Sequence, residues 1–213
     1  MNITLIITLP EHDLITKYIT VWSNQILNSA KKVGAKIIEL KREKAIKKEL
    51  LGRIKKLQPE LVVLNGHGNE ICIAGHNDTP LLRVGEKVFP IKIIYARACK
   101  AAQILGEELV KNGVEAFIGY KEDFVLRIDK YKVQRILDNE VAELYMTPSN
   151  QVSMALLKGS TAHEANERSK EHYKKTIQNL ILAGPKSEFY QELPFLYWNM
   201  SHQVCLGNPD ARL

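Results

Sequence analysis

Three observations predict an α/β fold with a mostly parallel central sheet, helices on both faces and a helical C-terminal elaboration. Short apolar, β-branched runs recur at residues 3–9, 35–40, 61–65, 92–98, 116–120 and 202–206. Most of the segments between them carry apolar residues at helical spacing. Strands joined through crossovers of helix length pair in parallel with right-handed connections, which places helices on both sheet faces.

The composition permits such a core. The chain has 213 residues, 45% hydrophobic and 25% charged, which sets aside disordered, collagen-like and coiled-coil classes. Three cysteines without a CxxC pair argue against a disulfide framework and for a reducing compartment. No apolar run reaches the roughly 20 residues of a membrane span, and the start Met1-Asn2-Ile3-Thr4 shows no basic leader. A cytoplasmic protein with no membrane partner is expected.

In chain order, residues 3–9 read as a buried strand. Ile15, Tyr18, Ile19, Trp22, Ile26, Ala30 and Val33 then mark one helix from Asp13 to Val33, stopped by Gly34. Residues 35–40 form the second strand. A basic helix follows, with Ile46, Leu50, Ile54 and Leu57 on its apolar face. Residues 41–57 hold eight basic residues against two acids, so this segment carries the whole net charge of +6. It lacks interleaved aromatics, and its apolar stripe explains it as a surface helix with a solvated basic face, so direct nucleic-acid binding is not expected.

Leu61-Val62-Val63-Leu64-Asn65 is the third strand, ending in Gly66-His67-Gly68-Asn69. Residues 70–90 read as a hairpin excursion punctuated by Gly75, Asn77-Asp78, Pro80 and Gly85. The fourth strand, 92–98, runs into Cys99 and directly on into a helix. Ala116-Phe117-Ile118-Gly119-Tyr120 is the fifth strand; the chain then becomes mostly helical to about residue 183, broken near Pro148 and Gly159. Residues 202–206 form the last strand. A single domain, 1–213, is expected, with a core of 1–128, a helical elaboration of 129–200 and a final strand segment of 201–213. Tyr173, Ile177, Leu180 and Ile181 read as core packing, as does the Trp22 stripe. Tyr197 and Trp198 either line a groove or close the C-terminal helical region.

Functional residues of open α/β sheets gather beyond the carboxyl ends of the strands, and two candidates stand there. His67 sits between two glycines after the third strand, and Cys99 ends the fourth. A helix N-terminus favours thiolate over thiol, and an imidazole beside it protonates a departing amine. Gly68 lets the backbone after His67 approach a substrate closely, and the N–H groups of Gly68 and Cys99 are placed to stabilise an oxyanion. Together these support acyl transfer, most simply peptide hydrolysis.

The segments Leu61-Val62-Val63-Leu64-Asn65-Gly66-His67-Gly68 and Ile93-Ile94-Tyr95-Ala96-Arg97-Ala98-Cys99 resemble the caspase-like cysteine peptidases, the superfamily of caspases, gingipains, separase and CHAT-type proteases. The strand 116–120 is similar to the one after the nucleophile's helix in the gingipain and CHAT branches, the two nearest in pattern. The ending 206–213 is similar to a Gly-Asp-Pro closing segment of gingipain-like domains. The resemblance covers residues 3–128 and the last strand. It implies the caspase-like three-layer fold, a His67–Cys99 dyad, oxyanion donors at Gly68 and Cys99, and neither metal nor cofactor. It also implies a protein or peptide substrate.

In parts of the family an acid past the strand after the nucleophile selects basic P1 side chains. Glu122 and Asp123 occupy that region, which gives cleavage after Arg or Lys. Control by a regulatory protein partner, by processing or by ordering of loops 70–90 and 121–130 is expected. The chain departs from many relatives in having Lys100-Ala101-Ala102 after Cys99, without the usual nearby glycine or serine. That leaves open an altered groove, Lys100 aiding the thiolate, or an inactive binding module.

Other arrangements fit less well. Amidotransferase-like and DJ-1-like enzymes place the nucleophile on a Gly-flanked elbow, absent here. A Rossmann-like nucleotide module lacks its glycine fingerprint after the first strand. His67, Cys72, His76 and Asp78 lie near one another in sequence, but Cys72 alternates into an apolar face and does not converge on His76, so no metal site is expected.

Overall fold

The computed structural model describes residues 3–88 and 90–213; Met1 and Asn2, which belong to the leader reading, and Phe89 of the hairpin excursion lie outside them. Nine strands and seven α-helices follow in the order β1 (Thr4–Leu9), α1 (Leu14–Trp22), α2 (Asn24–Lys32), β2 (Lys36–Lys41), α3 (Lys47–Leu57), β3 (Leu61–Asn65), β4 (Gly68–Asn69), β5 (Cys72–Ala74), β6 (Pro80–Arg83), β7 (Ile93–Arg97), α4 (Leu105–Lys111), β8 (Ala116–Tyr120), α5 (Glu140–Leu157), α6 (Ala162–Ala183), α7 (Leu193–His202) and β9 (Gln203–Gly207). The main sheet has the order β2-β1-β3-β7-β8-β9, parallel throughout except for the antiparallel edge strand β9. The expected excursion forms a separate antiparallel sheet, β4-β5-β6.

The central strands are apolar on both faces because both are covered. On one face Leu5, Ile7, Val63, Tyr95 and Ile118 pack against α2, α5 and the start of α6. On the other, Ile6, Val62, Leu64, Ile94 and Phe117 pack against Leu50 and Ile54 of α3, Leu105 and Leu109 of α4, and the small sheet. Each fully buried aliphatic side chain contributes about 1.5–3 kcal/mol. Among the described residues no helix is long and apolar enough to cross a membrane.

Five local expectations change. The helix expected over 13–33 is divided at Ser23, whose hydroxyl donates to the Ile19 carbonyl at 2.7 Å; such back-bonding bends helices. The basic helix starts only at Lys47, because β2 extends to Lys41 and Arg42–Lys44 form a 3₁₀ turn. Residues 121–139 are coil and short 3₁₀ turns instead of helix. Pro148 is buried inside an unbroken α5, and the real interruption is at Gly159, with φ +88°. Ile181 is exposed at the end of α6, while Tyr173 and Leu180 are buried as expected.

A buried polar cluster fixes the carboxyl ends of β3 and β7. The Arg97 guanidinium is fully buried and donates to Asn65 Oδ1 (3.1 Å), Asn150 Oδ1 (2.7 Å) and Ser23 Oγ (3.2 Å). Asn65 also donates to the Thr8 carbonyl at 2.8 Å, and Asn150 to the Trp22 carbonyl at 2.9 Å. One side chain therefore joins β3, β7, the α1–α2 junction and α5. Burial lowers the pKa of Arg97.

Candidate functional site

The parallel register pairs Asn65 with Arg97. His67 and Cys99 each lie two residues beyond that pair, so the sheet delivers both to the same edge. Gly68 closes the remaining distance. A Cβ added there would meet the Ala98 side chain at 2.9 Å, the Cys99 carbonyl at 3.0 Å and the Cys72 carbonyl at 3.2 Å. The missing side chain thus makes room for the Cys99 segment itself, where the sequence had suggested room for a substrate. Gly68→Ala is expected to cost about 1–3 kcal/mol, read as a lower urea midpoint; an unchanged midpoint would show that the two segments separate freely.

A residue that sequence reasoning passed over completes the arrangement. Asp13, in the turn between β1 and α1, places Oδ2 2.5 Å from His67 Nε2. Its other oxygen caps α1, accepting from the Thr16 backbone N–H at 2.7 Å and from the Thr16 hydroxyl at 2.8 Å. Desolvation pushes the Asp13 pKa upward, but hydrogen bonds from His67 and Thr16 outweigh it and bring it down to about 2. The bond to Nε2 leaves Nδ1 as the His67 nitrogen available for proton transfer. The signal for Asp13 was its position beyond the first strand's carboxyl end, the edge where His67 and Cys99 also lie.

The surroundings of Cys99 differ from expectation. The chain does not enter a helix there: α4 begins at Leu105, and residues 98–104 form a bend and turns. The N–H groups of Lys100, Ala102 and Leu105 bond to the carbonyls of Glu122, Tyr120 and Glu70 at 3.1, 3.0 and 2.9 Å. A helix dipole therefore does not act on the thiol. Burial pushes the Cys99 thiol above its ordinary range, and the Asp123 carboxylate adds to that shift. Lys100 turns its ammonium to Glu70 at 3.6 Å, so the thiolate aid read from the sequence gives way to an ion pair. Lys100 itself has φ +54°, a left-handed conformation that glycine adopts at little cost.

Glu122 and Asp123 lie in the coil that follows β8. The Glu122 carbonyl holds the Lys100 N–H, and the Asp123 carbonyl accepts from Trp198 Nε1 at 3.0 Å. Trp198 meets the His202 ring at a tilt of 49° with centroids 4.1 Å apart, and the Lys121 N–H bonds to the His202 carbonyl at 2.9 Å, so the end of α7 is held to the same loop. A groove of about 890 Å3 along α5 and α6, lined by Gln151, His163, Glu167 and His172 among others, shares no residue with this edge.

Cys72 and Cys205 lie in β5 and β9, half-buried and free. Among the described residues, the cluster able to hold a metal ion differs from the set weighed in the sequence. His12, His67 and Asp78 bring ligand atoms within 4.8 Å of one another.

No family model matches the chain, and no curated protein sequence matches it. Its fold is nevertheless found in solved structures. The structure of gingipain R, described as an Arg-specific cysteine proteinase, superposes with a TM-score of 0.60 at 14% identity over 99% of this chain and 47% of that one. A complex of the pro- and mature domains of RgpB from Porphyromonas gingivalis gives a TM-score of 0.60 at 12% identity, over 99% and 48%. The chain thus spans about half the length of the structures it matches. Both neighbours are gingipains, not CHAT-type proteases. With its mostly parallel six-stranded sheet between two helical layers, the chain has the caspase-like fold.

Proposed function

We propose that this protein is a cysteine peptidase in which Cys99 is the nucleophile and His67 the proton carrier. The observation that carries the reading is the Asp13–His67 hydrogen bond at the edge where β3 and β7, in register, deliver His67 and Cys99. With the thiol held neutral by burial, His67 Nδ1 takes the Cys99 proton as sulfur attacks the scissile carbonyl. The Gly68 and Cys99 N–H groups bind the oxyanion. His67 then gives its proton to the departing amine, leaving a thioester that water hydrolyses to the acid with return of the proton to sulfur. Asp13 holds the ring and stabilises its cationic form. Glu122 and Asp123, beside Trp198, offer carboxylates to a basic P1 side chain of a peptide or protein substrate. Control by a partner protein or by ordering of loops 70–90 and 121–130 belongs to the same reading.

A second reading, a catalytically silent binding module, is favoured by one observation: the Cys99 thiol is raised, beside Asp123, with Lys100 engaged elsewhere. Cleavage of a peptide library by wild type, Cys99→Ala and His67→Ala decides between them. The peptidase reading expects cleavage after Arg or Lys that disappears in both folded variants. Cleavage that survives Cys99→Ala overturns it. Cleavage confined to other P1 residues removes the role of Glu122 and Asp123.

A further inference from the structure

Catalysis by a dyad needs one imidazole, yet three stand together at this edge. His12 follows β1, His67 follows β3 and His76 lies between β5 and β6. The His12 ring meets His67 edge-on at 5.8 Å and His76 at 5.6 Å. The side chain of His12 is only 9% exposed. Its Nε2 lies 3.1 Å from Asp78 Oδ1 and 3.7 Å from Asp13 Oδ2. Nδ1 of His12 and Nδ1 of His76 are both buried without a hydrogen-bond partner.

We infer that His12, His67 and Asp78 form a binding site for a divalent transition-metal ion of the zinc class. Their ligand atoms already lie within 4.8 Å of one another. A tetrahedral zinc site with bonds of 2.0–2.1 Å sets its ligand atoms roughly 3.3 Å apart. The His12–Asp78 pair meets that spacing at 3.1 Å, and closure requires the half-exposed His67 ring to move by at most about 1.5 Å, the excess of 4.8 Å over the tetrahedral spacing. Asp13 Oδ2 stands beside both imidazoles, 2.5 Å from His67 Nε2 and 3.7 Å from His12 Nε2, and three protein ligands leave the fourth position open, as in catalytic zinc sites. Two imidazoles with a carboxylate suit zinc, cobalt or nickel; the hard cations calcium and magnesium prefer oxygen alone. The set weighed in the sequence included Cys72 and His76; this one takes His12, His67 and Asp78 from three separate loops.

The site goes beyond the peptidase reading and stands without it, since it is read by binding. Where that reading holds, the ion and Asp13 compete for His67 Nε2, which places the proton carrier under metal control.

Tag-free protein is titrated with Co2+, followed by its d–d absorption, and with Zn2+ by calorimetry. His12→Gln, Asp78→Asn, Cys99→Ala and Cys72→Ser are run beside wild type after their metal-free unfolding curves establish that they fold. One equivalent is expected to bind wild type, Cys99→Ala and Cys72→Ser alike, and to bind His12→Gln and Asp78→Asn at least about tenfold more weakly. No binding to wild type overturns the inference. Equal affinity in His12→Gln and Asp78→Asn also overturns it, as does loss in either cysteine variant, which assigns the ion to a thiol.

Discussion

Arg97→Met is expected to lower the free energy of unfolding by about 3–5 kcal/mol. Among the described residues the guanidinium has no carboxylate partner; its acceptors are the neutral oxygens of Asn65, Asn150 and Ser23. Methionine removes a desolvated charge, which favours the variant, but leaves the buried Asn65 and Asn150 oxygens short of a donor, while Ser23 Oγ keeps the Asn65 amide at 3.3 Å. Each unmet group costs about 1–3 kcal/mol, and their sum exceeds the relief. Arg97→Lys separates the two effects, since one ammonium on a flexible stem keeps the charge but not three diverging bonds. Urea unfolding should place the lysine variant between wild type and methionine. A methionine variant as stable as wild type would show that the cluster contributes no net stability.

The same cluster explains what was legible in the sequence. The strands were readable because Leu61–Leu64 and Ile93–Ala96 are buried on both faces, so they appear as unbroken apolar runs. The placement of His67 and Cys99 at one sheet edge was readable because both follow parallel strands at their carboxyl ends, where such sheets place chemistry. Segment 121–139 was not, since its apolar residues Phe124, Leu126 and Ile128 pack beneath α1 and α5 without helical hydrogen bonding. The helix expected directly after Cys99 is delayed because Lys100 takes φ +54°, outside the right-handed helical region. The bend at Ser23 answers to Arg97, 74 residues away, and no local pattern carries that information. Asp13 was readable as a helix start, which it is. Its second oxygen acts on a histidine 54 residues downstream, a pairing that only the folded sheet creates.

That double use of Asp13 makes it the most informative position for activity. On the peptidase reading, Asp13→Asn is expected to lower kcat by about 10²–10⁴-fold with little change in KM. Asparagine is as good an N-cap as aspartate, so α1 keeps its first turn while His67 loses the carboxylate that stabilises its cationic form. Asp13→Ala removes both interactions, and its additional loss of about 1 kcal/mol in stability reports the cap alone. The acid limb of the unfolding profile gives an independent check. The Asp13 pKa falls from 3.8 to about 2 on folding, so its stabilising contribution is complete above 3.8 and disappears as the pH falls toward 2. Asp13→Asn should therefore flatten the stability profile across that window. A steric role for Asp13 would instead give full activity in the asparagine variant, with an unchanged pH–rate profile. That result would leave His67 to act without a carboxylate behind it.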